Sequence, residues 1–313
     1  MFKENKPTLD KNTLGFNVVR GPLNPIIHPD MPGLEGKRGH NINGPSLIRV
    51  PAWIVNPLGR YYLYFAHHQG AYIRLAYADT LAGPWTIHAP GVLHMAQGPG
   101  RNHIASPDVH IDTKTKQIRM YFHQPAPPHL KSQGQLSYIA LSTNGLNFEV
   151  RNEVLGKYYF RVCQYNGWYY AFAKNDNTDG IIYRSANGLS NFQAGPRFLP
   201  GIRHTALWRH NDTLYIFYTL IGDCPERILV STIDLRSNWE SWKPSLGQTI
   251  LSPSLAWEGG NQALAPSNPG AIHYPVRQLR DPAIYIGTEH LYLLYAVAGE
   301  QGIAIAHLRK ILS

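Results

Sequence analysis

The sequence predicts an all-β protein, a five-bladed β-propeller whose ring is closed by an N-terminal strand. Three observations carry that expectation. An aromatic, β-branched segment and a companion strand recur five times along the chain. Turn formers are plentiful, with 28 glycines and 24 prolines among 313 residues, and only 16% of the residues are charged. The fifth unit also runs out of chain before its last strand, and an early segment can supply it.

The recurring segments are 61–65, 118–122, 168–172, 214–218 and 291–295. Their companions are 73–78, 136–142, 180–185, 227–232 and 302–306. An earlier, innermost strand precedes each pair, at 45–49, 107–111, 159–162, 204–208 and 282–286. A fourth strand opens on an aromatic residue after a polar or glycine turn, at Trp85, Phe148, Phe192 and Trp239. The missing fifth member is expected from Phe16 through Ile27, which joins the ends of the ring and removes an exposed edge. The whole chain, 1–313, reads as one domain, with a Pro-, Gly- and Ser-rich insertion at about 252–278 as a rim loop over the axial funnel.

Composition excludes several classes. With 43% hydrophobic and 12% aromatic residues the chain is not disordered, and 19 tyrosines against 10 phenylalanines do not suit helix bundles. The formal charge of +9 could draw an acidic polysaccharide. Nucleic acid is not an expected partner, because no run of five Lys or Arg occurs. Cys163 and Cys224 have no metal-ligand spacing and read as isolated core thiols rather than a disulfide or a zinc site. No run of 18 apolar residues occurs, so no membrane is expected, and the N-terminus lacks the apolar stretch of a signal peptide. As written the chain is expected to be soluble and cytoplasmic, or periplasmic or secreted if a leader was removed. Oligomeric state leaves no mark in the sequence.

Ser106-Pro107-Asp108-Val109 at the second innermost strand resembles the five-bladed glycosidase propellers around glycoside hydrolase family 43. So do Arg280-Asp281-Pro282-Ala283 at the fifth and the tail of the first unit, residues 76–86. The resemblance implies a cofactor-independent glycoside hydrolase with a carbohydrate substrate and three carboxylates on the inner strands of blades one, two and three. Asp108 matches the second. The first falls at Asn43-Gly44-Pro45 and the third at Tyr158-Tyr159-Phe160-Arg161, and neither holds an acid.

Glycoside hydrolysis needs a proton donor and a second group that activates water or attacks. Asp108 and Asp281 start inner strands and are expected to face one central funnel; the structural alternative for Asp281 is a salt-bridged strand start. Glu258 sits on the insertion, where a carboxylate could swing over the funnel, and Glu300 ends a strand of the fifth blade. Histidine titrates near neutrality and can fill a missing role. His204, on the fourth inner strand, is the leading histidine, with an axial ion as its rival partner. Substrate contacts are expected from Asn43, His67, His68, His103 and His110, the last sharing a strand face with Asp108. Arg161 and Arg280, with Arg203, would make the funnel cationic and suit an acidic sugar, unless they pair with the aspartates. The expectation is an exo-acting glycosidase. The alternatives are a carbohydrate-binding propeller without catalysis and a polysaccharide lyase using His and Tyr.

Overall fold

The computed structural model describes residues 15–310. The stretch before residue 15, on which the reading of the leader rests, lies outside it. Strand β1 is Phe16–Arg20. Blade I is β2 (Asn43–Arg49), β3 (Tyr61–Ala66), β4 (Tyr72–Ala78) and β5 (Thr86–His94). Blade II is β6 (Ala105–Asp112), β7 (Gln117–Pro125), β8 (Gln135–Ser142) and β9 (Glu149–Lys157). Blade III is β10 (Arg161–Tyr165), β11 (Trp168–Asn175), β12 (Asp179–Ser185) and β13 (Gln193–Phe198). Blade IV is β14 (Ile202–His210), β15 (Thr213–Leu220), β16 (Ile228–Asp234) and β17 (Gln248–Leu251). Blade V is β18 (Arg280–Ile286), β19 (Leu291–Ala296) and β20 (Ile303–Lys310), completed on its outer edge by β1. Among the described residues no helix is long and apolar enough to cross a membrane.

Each blade is covered by a neighbour on both faces, which is why its central strands are nearly continuous apolar runs. In β3, Leu63 and Phe65 pack towards blade V while Tyr62 and Tyr64 pack towards blade II. Five buried clusters result, one at each blade junction. Every large side chain sealed there contributes about 1.5–3 kcal/mol. Tyr64 keeps its phenol satisfied by donating to the Gly145 carbonyl at 2.9 Å.

The ring closes as expected, with Phe16 opposite Lys310 and Arg20 opposite Ala306. The closing strand ends at Arg20, however, and Ile27 makes only an isolated bridge to Ile303. Two other expectations are corrected. Trp239 does not open the fourth strand of blade IV. The Asn238 side chain accepts from the Glu240 amide at 3.2 Å and starts a 3-10 turn, Trp239–Ser241, so β17 begins only at Gln248. The inner strand of blade III starts at Arg161, because Tyr159 adopts φ +67° and breaks the extended run.

That deviation belongs to a pattern. The inner strands of blades I, II and V each carry a one-residue bulge, between Asn43 and Ser46, Ala105 and Asp108, and Arg280 and Ala283. The residue with positive φ is Gly44 (+60°), Ser106 (+56°) or Asp281 (+46°), and a proline follows each time. Tyr159 holds the matching place in blade III. A bulge re-aims its side chain, so these four positions ring the N-terminal mouth of the axis. The insertion at 252–278 has a single 3-10 turn, Ala256–Glu258, and crosses that mouth as a strap.

Candidate active site

Asp281 is fully buried at the bulge of β18, and its Oδ1 lies 2.8 Å from Nδ1 of His204 on β14. The contact lacks the alignment of a hydrogen bond, and neither carboxylate oxygen nor that ring nitrogen has any other partner. Burial and the nearby Glu300 charge push the Asp281 carboxyl up to about 7, against the pull of Arg161 and Arg280. Burial, then the charges of Lys174 and Arg203, press His204 well below its ordinary value. Both pressures oppose an ion pair, so the two groups share one proton as a neutral acid against a neutral imidazole. From His204 a ladder of rings leads outwards. Tyr159 packs on it at 4.4 Å, His123 on Tyr159 at 4.8 Å, and His103 against His123 at 5.8 Å.

Glu300 is the opposite case. Its carboxylate accepts from Arg280 Nη1 at 2.9 Å, from Asn43 Nδ2 at 3.4 Å and, more closely, from Asn41 Nδ2. His68 Nδ1 stands 3.6 Å away. Burial disfavours its charge, but the His68 ring, Arg280 and Asn41 outweigh that and hold it far below the usual carboxylate range. Two neighbouring carboxyl groups are thus driven apart in acidity, the arrangement that separates acid and base roles. At the rim, burial and the charges of Arg74 and His273 lower His67 to about 4, and burial lowers His103. Both of these rim imidazoles are held towards the neutral form.

The arginines are committed elsewhere. Arg203 donates from Nε to both Glu226 oxygens at 2.8 and 3.0 Å, and from Nη2 to the strap carbonyl of Asn268 at 2.6 Å. Arg280 also holds the strap through the Gly270 carbonyl at 3.1 Å. Arg161 donates from Nη1 to the carbonyls of Ser106 and Pro107, at 3.2 and 3.1 Å, and from Nε to that of Thr205 at 3.1 Å. It therefore reaches from blade II to blade IV across the axis. Neither Arg161 nor Arg280 makes an ion pair with an aspartate.

Arg161 also marks a boundary. Below it, towards the C-terminal ends of the inner strands, lies a chamber of about 630 Å³ whose lining begins at Ser46, Asp108, Arg161, Ala206 and Ala283. Asp108 lies there, two residues past its bulge. Its Oδ2 accepts from the Val162 amide at 2.8 Å and stands 2.7 Å from His110 Nε2. Burial works against its charge, yet His110, Arg161 and that amide lower its pKa. The equivalent Ser46 accepts from the Val109 amide at 2.9 Å, so Ser46, Asp108 and Arg161 form successive clasps from one blade to the next.

The structure therefore brings together Asp281, His204, Glu300, Arg280, Asn43 and His68, with His67 and His103 at the rim and Arg161 as the floor. Asp108 and His110 do not share that funnel, because the bulge turns Asp281 upwards while Asp108 follows its bulge. Glu258 does not swing over the mouth. It is fully buried, pinned by Arg20 Nε at 2.7 Å, the Tyr295 hydroxyl at 3.1 Å and the Ser254 amide at 2.9 Å. Sequence reasoning missed Asn41, Tyr159, His123, Lys174 and Glu226. Aligning the four residues that start each inner strand would have shown Tyr159 at the place of Asp281. Among the described residues no group of three or more His, Cys, Asp or Glu side chains is placed to hold a metal ion, at His204 or elsewhere.

No protein-family model matches the chain. An uncharacterized protein, R118 of Acanthamoeba polyphaga mimivirus, is 34% identical over 330 residues, covering 94% of this chain and 90% of that protein. The chain belongs to the R118 family. The catalytic domain of the GH62 α-L-arabinofuranosidase of Coprinopsis cinerea superposes with a TM-score of 0.61 at 12% identity, over 94% of this chain and 97% of that one. The GH43_1 enzyme of Xanthomonas citri, complexed with xylotriose, does so with a TM-score of 0.57 at 13% identity, over 86% and 88%. The five-bladed propeller of glycoside hydrolase families 43 and 62 is thus the fold of this R118-family chain.

Proposed function

We propose that the protein is a glycoside hydrolase that removes a terminal, neutral sugar at the N-terminal mouth of the axis. The observation that carries the reading is the Asp281–His204 contact. The other buried acids here, Glu226, Glu258 and Glu300, are bonded to arginines, whereas Asp281 is sealed in, unpartnered and protonated near neutrality. Buried polar groups without partners ask for an explanation, and a carboxyl near 7 is suited to give a proton at working pH. Asp281 would protonate the glycosidic oxygen as the bond to the anomeric carbon breaks. A water adding to that carbon would pass its proton to His68, whose imidazolium the ionised Glu300 behind it stabilises. Return of that proton to Asp281 completes the cycle.

The neutral substrate follows from the arginines. Arg161, Arg203 and Arg280 are bound to backbone carbonyls, Glu226 and Glu300, which leaves imidazoles and tyrosines to meet sugar hydroxyls. The same commitment leaves none of these three arginines open to a uronic acid in the funnel, as a lyase would need. The strap over the mouth favours a chain end over an internal segment. The fold relatives point the same way, one being an arabinofuranosidase and another holding xylotriose.

The test is hydrolysis of arabino- and xylo-oligosaccharides, beside uronic and sulfated ones, by wild type and Asp281→Asn, with glycan binding measured in parallel. Turnover of neutral oligosaccharides that collapses in the variant while binding persists is expected. Binding by wild type without any turnover would replace this reading with that of a carbohydrate-binding propeller. The absence of a carboxylate at Gly44, Ser106 and Tyr159 favours that second reading.

A further inference from the structure

The chamber below Arg161 is a separate space with a chemistry of its own. Its volume of about 630 Å³ falls within the range of small-molecule sites. Each innermost strand is paired on one side only, so its other edge presents backbone N–H and C=O groups to the axis. Such edges suit the hydroxyls of a polyol. The charged walls suit something else as well. Three guanidinium groups, Arg49, Arg161 and Arg209, line the chamber against the single carboxylate of Asp108.

That carboxylate is already engaged by the Val162 amide and His110. Arg161 gives Nε and Nη1 to backbone carbonyls, but none of the three guanidinium groups pairs with an acid among the described residues. Arg49 makes no hydrogen bond or ion pair with any described residue, though its charge reaches Tyr285. Arg209 donates only to the Asn211 carbonyl of its own turn, at 2.9 Å. The Arg161 side chain is 3% exposed, and its Nη2 is buried without a partner. The buried or half-buried guanidinium groups of Arg20, Arg119 and Arg203 are paired with acids, Glu258, Asp112 and Glu226. Here three guanidinium groups, one buried at the ceiling and two exposed at the opening, outnumber the one carboxylate by two.

We propose that this chamber is a second binding site, for a sugar-sized polyol that carries an oxyanion, whether phosphate or carboxylate. The oxyanion pairs with Arg49 and Arg209 at the opening and with the free Nη2 of Arg161 above them, by charge-assisted hydrogen bonds. The hydroxyls meet the open strand edges. This inference does not rest on the glycosidase reading, because no residue assigned to that chemistry lines the chamber.

Isothermal titration of the full chain with glucose 6-phosphate, glucuronate and glucose tests it. At least one sugar anion should bind wild type while glucose does not, and the anion that binds identifies the head group. The Arg49→Ala/Arg209→Ala variant should weaken that binding by about tenfold or more. Both side chains are exposed, so an unchanged melting temperature is expected and shows that the variant is folded. Asp281→Asn should leave anion binding as in wild type. The proposal fails if no anion binds at millimolar concentration, or if glucose binds as well as the anions. It also fails if the arginine variant binds like wild type, or if Asp281→Asn rather than the arginine variant abolishes binding.

Discussion

The two halves of the axis use charge in opposite ways. In the upper half almost every charge is buried and matched, Arg203 to Glu226 and Arg280 to Glu300, and one acid–imidazole contact is left without partners. In the lower half the acid is satisfied and the guanidinium groups have no acid partner, two of them being exposed. A buried unmatched acid shifts its own acidity and becomes a proton donor. Exposed unmatched cations are placed to meet an anion. On the readings proposed above, the difference separates a place for chemistry from a place for binding, although both lie on the same five strands.

The comparison breaks most decisively at Asp281. Asp281→Asn keeps the shape and removes the proton, so kcat should fall by roughly 10²–10⁴ while the melting temperature is retained. A variant with undiminished turnover would move the chemistry out of the upper half. The next largest effect is structural. Glu226→Gln leaves Arg203 buried without its counter-charge, and urea unfolding should report a loss of about 3–5 kcal/mol.

A titration sharpens the contrast further. An unfolded aspartate titrates near 4, whereas Asp281 in the fold titrates at about 7. Between these values the folded state holds the extra proton, so this contribution to stability is complete below about pH 4, is lost as pH rises to about 7, and is level above. Wild type should therefore lose stability relative to Asp281→Asn across that window, by an amount on the order of a few kcal/mol. Parallel curves for the two proteins would refute the assignment. The smallest effect is expected at Asp108→Asn. Its amide oxygen can still accept from Val162 but loses the charge against His110 and Arg161, so stability should drop by about 1–3 kcal/mol with kcat changed only a few-fold.

Much of the ring was legible because both faces of each blade are buried. Residues 61–65 and 291–295 announce strands through aromatic and branched residues at every position, which no solvent-facing sheet would tolerate. Trp239 misled for the same reason, since an aromatic residue sealed between blades looks alike in a strand and in a capped turn. Of the site, Asp281 and His204 could be read from their places at inner strands. The separation of Asp108 from Asp281 could not, because it depends on a bulge of one residue and a positive φ that an aspartate rarely adopts. Nor could the commitment of Arg203 and Arg280, whose partners include the carbonyls of Asn268 and Gly270 on the strap. Backbone carbonyls are the same in every residue and leave no trace in composition.

The joint between β1 and β20 also bears on how the chain is made. Phe16 leaves the ribosome about 290 residues ahead of Lys310, which lies opposite it. At roughly 5–20 residues per second, β1 waits on the order of half a minute for its only partner. During that interval the growing molecule is an open arc with the faces of its end blades bare, and Phe16 lacks the strand that holds it against Trp208, Tyr215 and Phe217 of blade IV. The aromatic junctions between blades I and IV can form in order of synthesis, so the arc is held curved while it waits. Closure is then a late, long-range event. A nascent chain halted before β20 would offer an unpaired strand to any neighbour, and the finished ring offers none at that seam.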